Sequence, residues 1–168
     1  MKIGEQKINK FLKELGSSSP TPGGGAVAAV TGAFAASLVE MVANLTIGKK
    51  SYEKVSDEMQ KIKKEALKIK AELISLADED VKAFDAVMSV YKLKNKEKIK
   101  KALELATHVP SKVASLSGEI GRLAEVVSKK GNKNAYSDAK SALHLAHAAI
   151  EAAKENIRIN KQALASLK

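Results

Sequence analysis

The run from Ala26 to Thr46, AVAAVTGAFAASLVEMVANLT, carries a single charged residue, Glu40. A helix apolar almost all round must be buried on most of its sides, so the rest of the chain has to supply helices that enclose it. A membrane span is the competing reading. Alanine rather than leucine dominates, and Thr31, Ser37, Glu40 and Asn44 interrupt the run, which argues against spanning. Gly32 with Ala28, Ala29, Ala35 and Ala36 offers a small-residue surface on which another backbone can approach closely. More faces are apolar than a five-helix monomer can cover, and the surplus predicts a symmetric dimer through apolar helix faces.

Outward from this run the pattern is helical throughout. Towards the N-terminus, Ile3, Ile8, Phe11, Leu12 and Leu15 predict an amphipathic helix over about Lys2 to Leu15, ended by Gly16 in the manner of a C′ glycine. The loop SSSPTPGGG, Ser17 to Gly25, then leads into the apolar run. Beyond GKKSY, the residues Val55, Met59, Ile62, Ala66, Ile69, Leu73 and Leu76 step by threes and fours. The stripe continues through Asp80, Ala83 or Phe84, Val87 and Tyr91. A further helix runs from Ile99 to Val127 with Pro110 imposing a kink. The last is predicted to start at an N-cap Ser137 with Asp138 in its first turn, and carries Leu143, Ala146, Ile150, Ala153, Ile157, Asn160 and Leu164. No segment alternates as a strand does. The expectation is an all-α, up-and-down bundle of about five long helices, a single domain over 1–168.

Composition narrows the function classes. The chain has 168 residues and no cysteine, which excludes disulfides, thiolate metal sites and a cysteine nucleophile. The N-terminus lacks the apolar core and cleavage site of a signal peptide, so a cytoplasmic location is expected. Net charge is +10, but it comes from lysine: Arg122 and Arg158 are the only arginines, and the three Tyr and three Phe do not cluster. Nucleic-acid binders favour arginine forks and stacking aromatics, so a nucleic-acid partner is not expected. The positive field suits either solvated helix faces or a small polyanionic ligand.

The informative positions break the apolar stripes. Asp80 falls in the apolar register of its helix, whereas Asp78 is turned away from it by about 200°. A carboxylate in that register is either paired or raised in pKa, and both states suit proton transfer. The alternative is a helix break near Leu76, with the aspartates capping a new segment. Asn44, Asn156 and Asn160 place amides near apolar faces, where they tie helices together. His144 and His147 share a helix face without a third ligand, so no metal site is expected. GGGAVAA has neither the Lys nor the hydroxyl of a phosphate-binding loop, although a helix N-terminus there presents free N–H groups.

Five ordered blocks carry a resemblance: SPTPGGGAVAAVTGAFAASLVEMVANLTIGKKSY (Ser19 to Tyr52), LADEDVKAF (Leu76 to Phe84), ATHVPSKVASLS (Ala106 to Ser117), GNKNAYSDAKSA (Gly131 to Ala142) and NIRIN (Asn156 to Asn160). Together they resemble the cyclodeaminase/cyclohydrolase family, which includes the C-terminal domain of formiminotransferase-cyclodeaminase and stand-alone methenyltetrahydrofolate cyclohydrolases. The resemblance implies an all-α enzyme, dimeric or larger, acting on the N5–N10 bridge of a tetrahydrofolate derivative as substrate and needing no metal. One branch closes the 5-formimino form with loss of ammonia. The other opens the methenyl form with water, and is favoured slightly because no formiminotransferase domain is attached.

By the same resemblance Asp80 is the catalytic proton shuttle. Pro22, Gly23, Gly24 and Gly25 lie against the folate, with Lys49 and Lys50 near its glutamate tail. Asn132, Ser137 and Asp138 hydrogen-bond the pterin, and Asp78 either assists Asp80 or is solvated, the latter being favoured. Two departures stand out: the connection at LKNKEKIKKAL from Leu93 is several residues shorter than in the family, and a further C-terminal segment of many members does not follow NIRIN. They leave open a second reading, a helical folate-binding or protein-interaction module that has lost turnover.

Overall fold

Helix α2 (Gly24–Thr46) starts two residues before the apolar run, because Gly24 and Gly25 form its first turn and Gly23 is its N-cap. The glycines therefore belong to the helix and not to a loose linker. The computed structural model describes residues 2–167, so the two ends of the predicted domain, 1 and 168, lie outside it. Around α2 stand α3 (Ser56–Tyr91), α4 (Lys96–Lys130) and α5 (Tyr136–Ala165), preceded by the short α1 (Ile8–Leu15). Four helices are long and one is short, and no strand occurs among the described residues.

Pair contacts fix the topology. Gly25 meets Asp80 and Gly32 meets Leu73, so α2 and α3 run antiparallel. Glu72 pairs with Lys112 and Glu58 with Lys130 across α3 and α4. Asn160 meets Ala106 and Gly121 meets Ala146 across α4 and α5. The result is the expected up-and-down bundle, with α2 in contact with all three long partners. Small residues let α2 sit deep: a Cβ at Gly32 would lie 2.8 Å from Ser117 Oγ and 3.1 Å from Leu73 Cδ1. Ala26, Ala29, Ala35, Ala36, Val39 and Val42 are fully buried on its inner faces. The helix is long and apolar enough to cross a membrane by length and composition, but these faces pack against protein.

The apolar stripes divide into two clusters. The main core takes Met59, Leu73 and Leu76 of α3 with Val113, Ile120 and Val127 of α4 and the alanines of α2 and α5. A satellite cluster of Val87, Ile99, Leu103 and Ala106 joins α3, α4 and α5 beyond the start of α2.

Several local expectations are corrected. The N-terminal helix is interrupted: a 3₁₀ turn at Ile3–Glu5 precedes α1, and Lys7 is extended. Gly16 closes α1 at φ −82°, so it is not a left-handed C′ glycine. No break occurs near Leu76, because α3 is continuous from Ser56 to Tyr91. Pro110 lies inside α4, where the sequence put it. Ser137 is not an N-cap: α5 begins at Tyr136 after a 3₁₀ turn at Lys133–Ala135, which puts Ser137 inside the first turn. Asn44 is exposed, on the uncovered side of α2.

Candidate active site

Asp80 occupies the seam between the two apolar clusters. Three and four residues before it, Ala77 and Leu76 close the main core; seven after it, Val87 opens the satellite one. Its carboxyl group lies against the first turn of α2, where a Cβ at Gly25 would overlap both carboxyl oxygens. Only glycine leaves that space, so the side chain missing at Gly25 is what admits Asp80. The Ala26 backbone N–H donates to the carboxylate, one of the first-turn N–H groups that a helix cannot satisfy internally.

Burial among apolar neighbours pushes the Asp80 pKa above its ordinary value of 3.8, and the Ala26 N–H partly offsets this. No charged side chain is among the causes. The group is therefore a half-buried, unpaired carboxyl that exchanges a proton closer to neutrality than a surface aspartate does.

Helix α5 supplies two amides on the same level. Asn156 Nδ2 lies 3.6 Å from where a Cβ at Gly24 would be, and it donates to Ala152 O at 2.9 Å. Asn160 Nδ2 donates to Ala106 O at 3.2 Å. Neither was named as a site residue from sequence, although their places in the α5 stripe were the available signal.

Asp78 points away from Asp80. Its Oδ1 accepts the Ile3 backbone N–H at 2.8 Å, so it is engaged rather than merely solvated. This bond clips the N-terminal arm to α3 and walls a cleft of about 990 Å³, bordered by Pro22, Lys70, Ile74, Asp78 and Lys82. Pro22 thus faces the cleft, while Gly23, Gly24 and Gly25 carry the chain round to Asp80.

The remaining predicted residues lie at the other end of α2. Lys49 and Lys50 follow its C-terminus and are exposed. Asn132 is buried and fully spent: its N–H donates to Thr46 Oγ1, its Nδ2 to Leu45 O, and its Oδ1 accepts from Asn134 N. Ser137 is exposed and Asp138 half-buried at the start of α5. With 23 residues in α2, a rise of 1.5 Å per residue separates the two groups by roughly 30 Å within one chain. Among the described residues no group of three His, Cys, Asp or Glu is placed to hold a metal ion.

Residues 7–167 match the formiminotransferase-cyclodeaminase family. A methenyltetrahydrofolate cyclohydrolase from Methylorubrum extorquens is 42% identical over 96% of this chain and 82% of its own length. The formimidoyltransferase-cyclodeaminase of Rattus norvegicus is 28% identical over 93% of this chain, which spans only 30% of that longer protein. In three dimensions, a formiminotetrahydrofolate cyclodeaminase from Thermotoga maritima superposes with a TM-score of 0.94 at 36% identity, covering 97% of this chain and 82% of the other. The half-buried acid at a helix N-terminus in an all-α bundle thus sits in a recognised class of proteins. The chain belongs to the formiminotransferase-cyclodeaminase family.

Proposed function

We propose that the protein is a one-carbon folate enzyme acting on the N5–N10 bridge of tetrahydrofolate. Methenyltetrahydrofolate cyclohydrolase is the leading activity and formiminotetrahydrofolate cyclodeaminase the second. The observation that carries this reading is Asp80, an unpaired carboxyl with a raised pKa held against the first turn of α2. The preference for the cyclohydrolase rests on the similarity to the Methylorubrum extorquens protein.

In the hydrolytic direction, water adds to the cationic methenyl carbon and the Asp80 carboxylate takes its proton. The tetrahedral carbon then releases N5, which receives a proton from Asp80, leaving the 10-formyl product; one proton is released overall. In the deaminase direction, N10 attacks the carbon of the formimino group in its protonated, amidinium form, Asp80 accepts the N10 proton and returns it to the amino nitrogen, and ammonia leaves as the cationic methenyl ring forms. Both reactions need one group that accepts and returns a proton, the task of a general acid–base whose pKa lies towards the working pH. The chemistry requires neither a metal nor a covalent nucleophile.

The functional unit we propose is a homodimer. Val27, Phe34, Leu38, Met41 and Leu45 recur along the side of α2 that its own chain leaves open, with Phe34 52% and Leu45 42% exposed. A second copy packed there in the antiparallel sense would bring its Lys49, Lys50, Ser137 and Asp138 towards this chain's Gly23 to Gly25, uniting residues that lie far apart in one chain. The protein acts in solution, without nucleic acid or membrane. The test is spectroscopic: the methenyl form absorbs in the near-UV, and the protein should bleach that band faster than buffer or generate it from the formimino compound. Failure of both at high protein concentration would leave the non-catalytic module as the better reading.

A further inference from the structure

We propose that Asn156 is a substrate-binding residue of the Asp80 site, its side-chain amide reading the polar edge of the ring that lies over Gly24 and Gly25. This rests on the folate reading above and goes beyond it by assigning a recognition contact to α5.

Three buried or half-buried asparagines face the bundle, and what each does with its amide separates them. Asn132 uses its N–H, its Nδ2 and its Oδ1 on protein partners. Asn160 donates one Nδ2 hydrogen across to the Ala106 carbonyl, so its amide ties α5 to the neighbouring helix and is fixed by it. Asn156 bonds only within its own helix, to Ala152 O. That bond orients the amide plane but leaves the second Nδ2 hydrogen and Oδ1 without a partner among the described residues. A carboxamide in this state presents one donor and one acceptor side by side.

The location gives that edge a target. Gly24 is exposed and Asn156 half-buried, and a methyl group at Gly24 would be in ordinary van der Waals contact with Nδ2 at 3.6 Å. The missing side chain therefore uncovers the amide. On the next residue, Gly25, the missing side chain makes room for Asp80. A flat ligand resting on the two glycines has the carboxyl on one side and the amide on the other. The lactam edge of a pterin, an N–H beside a carbonyl, is the complement of a carboxamide. The free atoms of this amide stay open to water, so a ligand that completes the edge exchanges those water contacts for a paired set of hydrogen bonds.

On the helices that meet here, the ionisable residues close in sequence to Asp80, to Ala106 and to Asn156 include Asp78, Glu79 and Lys82 on α3, His108 on α4, and Glu155 and Arg158 on α5; α2 has none before Glu40. Asp78 is held by Ile3, Arg158 pairs with Glu155, and no ion pair involves Asp80 among the described residues. A charge introduced at position 156 would therefore act on Asp80 with little competition.

The experiment uses the full chain and three variants, with circular dichroism to verify folding. Asn156→Ser keeps an i−4 bond to Ala152 while deleting the edge. It is expected to raise KM for the methenyl substrate about tenfold, the equivalent of 1.4 kcal/mol, with kcat within about threefold. Asn156→Ala repeats the test without the hydroxyl. Asn156→Asp adds a like charge across the first turn and is expected to move the acid limb of the rate profile to higher pH, which a purely structural residue would not do. If the wild type turns over but Asn156→Ser leaves KM unchanged and Asn156→Asp leaves the acid limb in place, the inference is overturned and the folate reading stands. If the wild type has no turnover, the folate reading fails and the inference falls with it.

Discussion

Asn160 Nδ2 donates to the Ala106 carbonyl at 3.2 Å, and the residue that would ordinarily donate to that carbonyl, four positions on, is Pro110. Proline has no N–H, so an in-helix proline orphans the acceptor one turn earlier. The two sequence features, a proline inside α4 and an amide in the apolar stripe of α5, are thus halves of one arrangement. Asn160→Ala is expected to cost about 1–3 kcal/mol, because it leaves the carbonyl unsatisfied. In a Pro110→Ala background, where the backbone N–H returns, the same substitution should cost less than about 1 kcal/mol. A urea-denaturation double-mutant cycle measures the difference, and strict additivity would show the two residues to be independent.

Asp80→Asn is expected to lower turnover by about 10²- to 10⁴-fold, the range of a lost general acid–base, while the helical signal is kept. Its stability effect has a defined sign. Because the folded-state pKa of Asp80 lies above 3.8, the folded protein binds the proton more tightly than the unfolded chain. That contribution is complete below the unfolded value and is lost as pH rises through the folded one. The variant should therefore melt above the wild type at neutral pH, the gap closing on acidification towards 3.8. Melting curves from pH 3 to 8, on the order of one scan per pH unit, test this. A gap that widens in acid would contradict the burial of an uncompensated carboxyl.

Gly25→Ala and Gly24→Ala separate two roles of adjacent glycines. At position 25 the new methyl overlaps the Asp80 carboxyl, so the acid must move and turnover should fall by about 10²-fold or more. At position 24 the nearest atom is Asn156 Nδ2 at 3.6 Å, so the bundle should accept alanine without loss of stability. Steady-state rates and melting temperatures on the pair are the measurement, and wild-type turnover in Gly25→Ala would argue against the placement of Asp80.

Asn132→Ala should act on stability. The residue makes three hydrogen bonds, two of them to the end of α2; removing its side chain deletes the Nδ2 bond to Leu45 and the Oδ1 bond from Asn134 while the backbone bond to Thr46 stays, at an expected cost of about 1–3 kcal/mol. Chemical denaturation gives the value. A large rise in KM without loss of stability would instead support the pterin contact implied by resemblance.

The proposed second copy predicts a solution mass of twice 17.9 kDa. Phe34→Glu, on the exposed side of α2, should yield a folded monomer with little activity. Light scattering with an activity assay decides it, and a wild-type monomer that turns over would remove the dimer from the mechanism.

The bundle was legible because helix periodicity needs only local spacing: the steps from Met59 to Leu76 and from Ile99 to Val127 fall on buried or half-buried faces. Asp80 was legible for the same reason, as a carboxylate where the stripe demands an apolar residue. Partnerships across elements were not. Nothing in the spacing says that Asp78 receives Ile3, that Asn160 answers Pro110, or that Asn132 closes on Thr46. The start of α2 was missed because glycine has low helix propensity, and here contact with Asp80 outweighs it. Distance along α2 was the other gap, since residues grouped by resemblance fall at both its ends.

The satellite cluster draws on α3, α4 and α5 alone, because α2 begins only at Gly24. The molecule is thus four helices thick below Asp80 and three above it. The proposed site is the ledge left where the fourth helix starts, its floor kept open by the side chains missing at Gly24 and Gly25. On its upper side stands the satellite cluster of Val87, Ile99, Leu103 and Ala106. Because that cluster is separate from the alanine-lined core, its residues can change size beside the ledge while the core stays untouched, so substrate fit can shift through side chains that carry none of the chemistry.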